Sequence, residues 1–234
     1  MRFAAIETAT EWCSVALWQD GEIVSLEARA ANRQGEVVLP MLEKLFARTG
    51  GGLDGLDAIV YGAGPGAFTG LRIACGVAQG LAFGRGVPVI GISTLAATAE
   101  ESGAPRVLVA LDARMREVYY AAFEKQAGKW REVLPARCVA PDEVEAPDGP
   151  NGGRGGDWLG CGNGFAVYRE SLEARLGGVL VRIAPEVRPS AAAVARLAAP
   201  RLAAGEGVDA AQAIPRYVRD KVALTSAEQT LQRK

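Results

Sequence analysis

The chain has no histidine among its 234 residues. That absence removes whole classes of chemistry. A Ser-His-Asp or Cys-His nucleophile cannot be assembled from it, and neither can a His-Glu-x-x-His metal site. What remains is carboxylate, lysine, tyrosine or unassisted cysteine chemistry, or the positioning of a nucleotide. Cysteine is scarce too: Cys13, Cys75, Cys138 and Cys161 lie far apart and form no Cys-x-x-Cys pair. This argues against a zinc ribbon or a thioredoxin-type centre and fits a reduced, cytoplasmic protein. A basic excess is also missing, with 26 Lys and Arg against 27 Asp and Glu. Tight direct binding of RNA or DNA is therefore disfavoured. No apolar run is long enough to span a membrane, and the chain enters a strand pattern directly, without the look of a signal peptide.

What is present is a packing composition, 49% hydrophobic and 23% charged, suited to one large domain or two small ones. Arg2–Ile6, Trp12–Trp18 and Glu22–Glu27 read as three strands, the last two joined by the tight-turn pair Asp20-Gly21. A helix follows over 34–48. Its apolar face carries Val37, Val38, Met41, Leu42, Leu45 and Phe46. Strand 57–61, a glycine-rich turn, a helix over 70–83, strand 87–93 and a short helix from Thr94 complete a first half. Gly103 to Pro105 punctuates the chain, and a boundary is expected there, giving units 1–103 and 104–234. The second half restarts with strands at 107–111, 117–123 and 130–134. It then runs through a glycine-rich loop at 147–156, strand 158–161, helix 164–176 and an Ala-rich helix from an N-cap at Ser190 to a stop at Gly205. Residues 214–219 read as extended and the last dozen as frayed. The fold class is α/β, with strand-strand-strand followed by helices occurring twice.

The glycine stretch Gly62 to Gly84 is the feature to explain. Gly64-Pro-Gly66-Ala-Phe-Thr-Gly70 is not a Walker loop, because Leu71-Arg72 stand where Lys-Ser/Thr is needed. Gly62-x-Gly64-x-x-Ala67 fits a loose dinucleotide pattern, but no acidic residue follows at the ribose position. In the next helix Gly70, Ala74, Val77 and Leu81 share one face, and Gly76, Gly80 and Gly84 mark an adjacent one. Each interior helical glycine costs about 0.5–1 kcal/mol against alanine, so close approach of another element is expected. Packing against the sheet and packing against a partner helix both satisfy that need. Glu7-Thr8-Ala9-Thr10, at the end of the first strand, is a candidate phosphate or metal loop. Its crowded position holds Ala9 rather than glycine. Asp112 to Glu117 reads as a solvated hairpin turn. Arg216, Arg219 and Lys221 offer a candidate tRNA contact, weighed against a plain solvated tail.

Four strings together resemble one family: Ile6-Glu-Thr-Ala-Thr-Glu-x-Cys-Ser-Val-Ala-Leu17; Gly64-Pro-Gly-Ala-Phe-Thr-Gly-Leu-Arg-Ile73 with Ala78-Gln-Gly-Leu-Ala82; Leu111-Asp-Ala-Arg-x-x-Glu-Val-Tyr119; and Ile214-Pro-Arg-Tyr-Val-Arg219. The resemblance is to the TsaB (YeaZ) family of the bacterial tRNA threonylcarbamoyladenosine system. It implies an actin-like (ASKHA, ribonuclease H-like) fold of two lobes, each a mixed sheet flanked by helices. It implies a non-catalytic subunit, a degenerate paralogue of the metal-dependent transferase TsaD. Such a subunit would heterodimerise with TsaD, be joined by the ATPase TsaE, meet tRNA only through the complex, and form a homodimer when alone. The implied interface is Val37, Val38, Met41, Leu42 and Leu45 of the first helix with Gly70, Leu71, Ala74, Val77, Ala78 and Leu81 of the second. No metal and no cofactor of its own are implied. ATP or ADP would sit at the interface of the complex, and Glu7, Thr8, Thr10, Gly64 and Gly66 are the candidate nucleotide-binding residues. The chain departs from the family pattern at Gln34-Gly35-Glu36, where many members carry His-Ser-Glu, and at Glu7, where Asp is usual. The rival reading is an actin-like ATPase or a peptidase-like enzyme; the missing histidine weighs against the peptidase.

Overall fold

The computed structural model describes residues 1–148 and 157–219. Most of the glycine-rich loop and the polar end, including Lys221, lie outside the described residues. Strands β1 (Arg2–Glu7), β2 (Trp12–Gln19) and β3 (Glu22–Arg29) form an antiparallel meander. Asp20 and Gly21 take the positive φ angles, 51° and 101°, that a tight right-twisted hairpin needs. Helix α1 (Gln34–Thr49) returns the chain to β4 (Ala58–Gly64), which lies parallel to β1. Helix α2 (Phe68–Arg85) leads to β5 (Val89–Ser93), parallel to β4, and α3 (Thr94–Ser102) closes this stretch. The sheet order is β3-β2-β1-β4-β5.

The second sheet repeats the plan. A meander of β6 (Arg106–Arg114), β7 (Glu117–Gln126) and β8 (Lys129–Val139) is followed by β9 (Trp158–Cys161), parallel to β6. Helices α4 (Gly164–Val167) and α5 (Arg169–Leu176) precede β10 (Leu180–Ala184), and α6 (Ala191–Ala203) follows it. The order β10-β9-β6-β7-β8 mirrors the first sheet strand for strand. The expected single helix over 164–176 is broken at Tyr168, whose φ of −121° is not helical. The Tyr168 hydroxyl donates to Asp112 at 3.1 Å, anchoring the break to β6.

Each sheet is covered on both faces. On the first, α1 and α2 bury Val38, Leu42, Leu45, Ala74 and Ala78 against Ile6, Val15 and Ile59. The opposite face receives α6, whose alanines at 191, 195 and 198 lie against Phe3, Ala5 and Val60. On the second sheet α4 and α5 cover one face and α3 the other, through Leu95 and Ala99. The helical layers thus cross the boundary expected between 103 and 104. Helix α3 precedes it and packs on the second sheet; α6 follows it and packs on the first.

Ser190 caps α6 as its sequence position implies, accepting from the Ala193 N–H at 3.0 Å while donating to Glu101 at 2.5 Å. It is 4% exposed. Ser190→Ala is expected to cost about 1–2 kcal/mol of unfolding free energy, read from denaturant melts at neutral pH.

Candidate functional site

The glycines of the β4–α2 turn make room for the chain itself. A Cβ at Gly62 would overlap the Glu7 carboxylate, and one at Gly70 would overlap the Thr8 carbonyl. At Gly64, where φ is +110°, a Cβ would stand 2.7 Å from the Arg216 carbonyl oxygen. At Gly66 it would stand 2.6 Å from Ala9. Two hydrogen bonds lock the loops together: the Thr8 hydroxyl donates to the Gly70 carbonyl at 2.7 Å, and the Ala67 N–H donates to the Ala9 carbonyl at 2.8 Å.

The structure therefore brings Glu7, Thr8, Thr10, Gly64 and Gly66 into one neighbourhood, but their polar groups are largely engaged. Glu7 and Thr8 are buried. Glu7 accepts the Ala9 N–H at 2.6 Å, and Thr94 donates to its other oxygen at 3.4 Å. The Thr10 hydroxyl accepts from Trp12 N–H at 3.2 Å, and its carbonyl accepts from the buried Gln34 amide at 2.7 Å. Burial pushes the Glu7 carboxyl up to about 7, against the opposing pull of the Ala9, Thr94 and Thr8 hydrogen bonds. No group of three or more metal-ligating side chains is found among the described residues.

Residues 213–219, legible in the sequence only as extended, form a strap across the gap between the sheets. The Ile214 carbonyl accepts the Tyr61 hydroxyl at 3.1 Å, and the Arg216 N–H donates to the Ala63 carbonyl at 2.6 Å. Tyr217 packs on Phe68 with ring centroids 5.5 Å apart and accepts Arg72 Nε at 3.1 Å. At its far end Arg219 donates to the Ala113 carbonyl at 3.0 Å and pairs with Glu117. A cleft of about 490 Å³ lies on this side of the strap, between Thr10 and Phe68 on one lobe and Asp112, Arg114 and Tyr119 on the other. The Asp112–Glu117 turn is exposed at Arg114, Met115 and Arg116, as expected for a hairpin tip. It is not relaxed, however: these three residues all take positive φ, 63°, 54° and 61°, a conformation costly to L-residues.

The helical face needs a correction. Val38, Leu42, Leu45, Leu71, Ala74 and Ala78 are between 0% and 3% exposed and belong to the core of this chain, as does Gly70 beneath Thr8. They cannot be the open surface expected of them. An apolar stripe on an amphipathic helix goes first to its own sheet. Only Val37, Met41, Val77 and Leu81 of that set stand half-buried at the rim. The outward surface lies beside it. Around Gly76, Gly80 and Gly84 a Cβ would meet nothing within 4 Å, Phe83 is 84% exposed and Leu39 is 46% exposed.

Residues 28–227 match the family model described as TsaD, tRNA N6-adenosine threonylcarbamoyltransferase. The chain is 36% identical over 228 residues to the tRNA threonylcarbamoyladenosine biosynthesis protein TsaB of Escherichia coli (strain K12), covering 95% of this chain and 96% of the relative. It belongs to the TsaB family. The TsaB of Haemophilus influenzae is 33% identical, with 93% of each chain covered. Among solved structures, YeaZ from Pseudomonas aeruginosa is 38% identical with a TM-score of 0.83, covering 92% of this chain and 99% of that one. The twin five-stranded sheets with helices on both faces are an actin-like arrangement. The glycine string Gly62 to Gly70 is thus, in this molecule, a packing device that lets the chain approach itself closely.

Proposed function

We propose that the protein takes part in tRNA threonylcarbamoyladenosine biosynthesis as a non-catalytic subunit. In this reading it pairs with the transferase TsaD, recruits the ATPase TsaE to the pair, and meets tRNA only through them. It acts in the cytoplasm, carries no metal or cofactor of its own, and forms a homodimer where TsaD is absent. The observation that carries the proposal is the outward face of α2. Three glycines stand there, four residues apart, with open space where each Cβ would be. Their helical cost of about 0.5–1 kcal/mol each has no return inside this chain, and a closely packed partner helix would supply one. Resemblance to the TsaB family makes TsaD the partner this reading names. Engagement of Glu7, Thr8 and Thr10 within the chain, together with the missing histidine, supports a role other than catalysis.

The test is reconstitution of TsaD, TsaE, tRNA and a threonylcarbamoyl-adenylate supply, with and without this chain. Modification is expected to require the chain, which alone should modify nothing. Gly80→Arg and Phe83→Glu are expected to leave the isolated chain folded and to abolish co-purification with TsaD. Wild-type recovery of TsaD by both variants would place the interface elsewhere. Charges at Leu45 or Ala74 cannot serve this purpose, because both side chains are fully buried. The rival, an actin-type nucleotide hydrolase, draws support from the inter-lobe cleft of about 490 Å³. It requires ATP turnover by this chain alone, abolished by mutation at Thr10.

A further inference from the structure

A second and larger cavity, about 770 Å³, opens on the other side of the strap. Its size suits a small organic ligand. It runs between the facing sides of α3 and α6, with Gly91 to Ser93 at the end of β5 beneath it, the β7–β8 hairpin on one flank and strap residues 214–216 on the other.

Its charge is out of keeping with the chain. The whole sequence is balanced at −1, yet this cavity is lined by Lys125, Lys129, Arg196, Arg201 and Arg216 against only Glu100 and Glu206. Both carboxylates are already occupied. Glu100 accepts from Trp130 Nε1 at 2.7 Å, Lys125 at 3.1 Å and Arg196 at 3.1 Å. Burial opposes its charge, but these donors outweigh burial and hold the carboxyl below its ordinary range. Glu206 pairs with Arg201 at 2.8 Å, and Arg196 is paired a second time, with Glu101 at 2.7 Å. Lys129 and Arg216 have no carboxylate partner among the described residues. The cations come from three separate elements, the hairpin, α6 and the strap. Low-dielectric walls such as Ile92, Leu197 and Pro215 focus that field.

We infer that this cavity binds a compact polyanion, an organic phosphate or polyphosphate carrying at least two negative charges. The site is distinct from the inter-lobe cleft, which shares only Arg216 with it. It goes beyond the proposed scaffold role and does not depend on it.

The experiment is calorimetric titration of the full-length protein at low ionic strength with ATP, with pyrophosphate, and with sulfate as the control anion. Pyrophosphate or ATP is expected to bind at one site, clearly more tightly than sulfate. Lys129→Glu is expected to weaken that binding about tenfold or more, as does loss of a charge-assisted contact elsewhere. Arg114→Glu, which alters only the inter-lobe cleft, is expected to leave it unchanged. ATP favoured over pyrophosphate assigns a nucleotide; equal binding assigns an inorganic or simple organic phosphate. Three results would overturn the inference: no heat with either phosphate, no preference over sulfate, or sensitivity to Arg114→Glu but not to Lys129→Glu. Circular dichroism of both variants checks that a loss of binding is not a loss of fold. Failure here leaves the TsaD reconstitution untouched, so the two ideas fail separately.

Discussion

Glu7→Gln is expected to make the protein more stable at pH 8, by roughly 3–4 kcal/mol, while leaving it nearly unchanged at about pH 4.5. Glu7 ends β1, is 1% exposed, and faces no cation among the described residues. Its carboxyl is pushed up to about 7 by burial, whereas an unfolded glutamate titrates near about 4.3. Between those values the unfolded chain has already given up its proton and the folded chain still holds it. The folded state binds more protons, so stability falls as pH rises through this window and levels off above about 7. At about 1.4 kcal/mol per unit the fall amounts to roughly 3–4 kcal/mol. Glutamine keeps the shape and cannot ionise. Its carbonyl can accept the Ala9 N–H that Glu7 now receives at 2.6 Å, and its amide can donate to the Thr94 hydroxyl. Urea melts of parent and variant at pH 5, 6, 7 and 8 decide the matter. The parent curve should slope downward and the variant stay flat. Two parallel curves would mean that Glu7 is ionised in the folded state and compensated by a contact not identified among the described residues.

The same part of the chain shows what a sequence can and cannot disclose. Alternation and turn chemistry locate both meanders, because a strand's period of two and an Asp-Gly turn are local properties. The identity of the two sheet topologies is visible only as a repeated order of elements. β10 is not legible: it is a short edge strand with Val181 and Arg182 both exposed, and half-solvated edges carry little apolar pattern. The first helix pair is located by its periodicity, yet the destination of its faces is not. Periodicity identifies the apolar side of α1 as Val38, Leu42 and Leu45, but it does not say whether that side meets a sheet of the same chain or another molecule. In this chain the sheet takes it. The glycine stretch is harder still. Its density announces a close approach, but the approaching groups, Thr8, Ala9 and the Arg216 carbonyl, come from positions up to about 150 residues away in sequence. The strap at 213–219 has no periodic signature, since it is held by backbone groups, the Tyr217 ring and the Arg219 side chain.

Alanine at two glycines of α2 should move stability in opposite directions. On intrinsic helix propensity both changes favour the helix by about 0.5–1 kcal/mol. At Gly70 that gain is lost, because the new methyl would overlap the Thr8 carbonyl. This neighbour is backbone at the end of a central strand, and the Thr8 hydroxyl is itself tied to the Gly70 carbonyl at 2.7 Å, so neither side can yield cheaply. Overpacking of this kind costs about 1–3 kcal/mol or more, and Gly70→Ala is expected to be destabilised by about 2 kcal/mol net. Gly80 has open space where its Cβ would be, and Gly80→Ala should gain most of the propensity benefit. Combined with Gly76→Ala and Gly84→Ala, which are equally open, the gain should reach about 2 kcal/mol in the isolated chain. Those methyl groups would stand between α2 and any helix packed closely on it. The stabilised triple variant should therefore bind TsaD more weakly than the parent, and denaturant melts paired with co-purification test both halves. A triple variant that is more stable and pairs with TsaD as well as the parent would show that the glycine face is not where the partner sits. A Gly70→Ala variant as stable as the parent would show that the Thr8 loop is free to move, and that the turn is less tightly closed than its hydrogen bonds indicate.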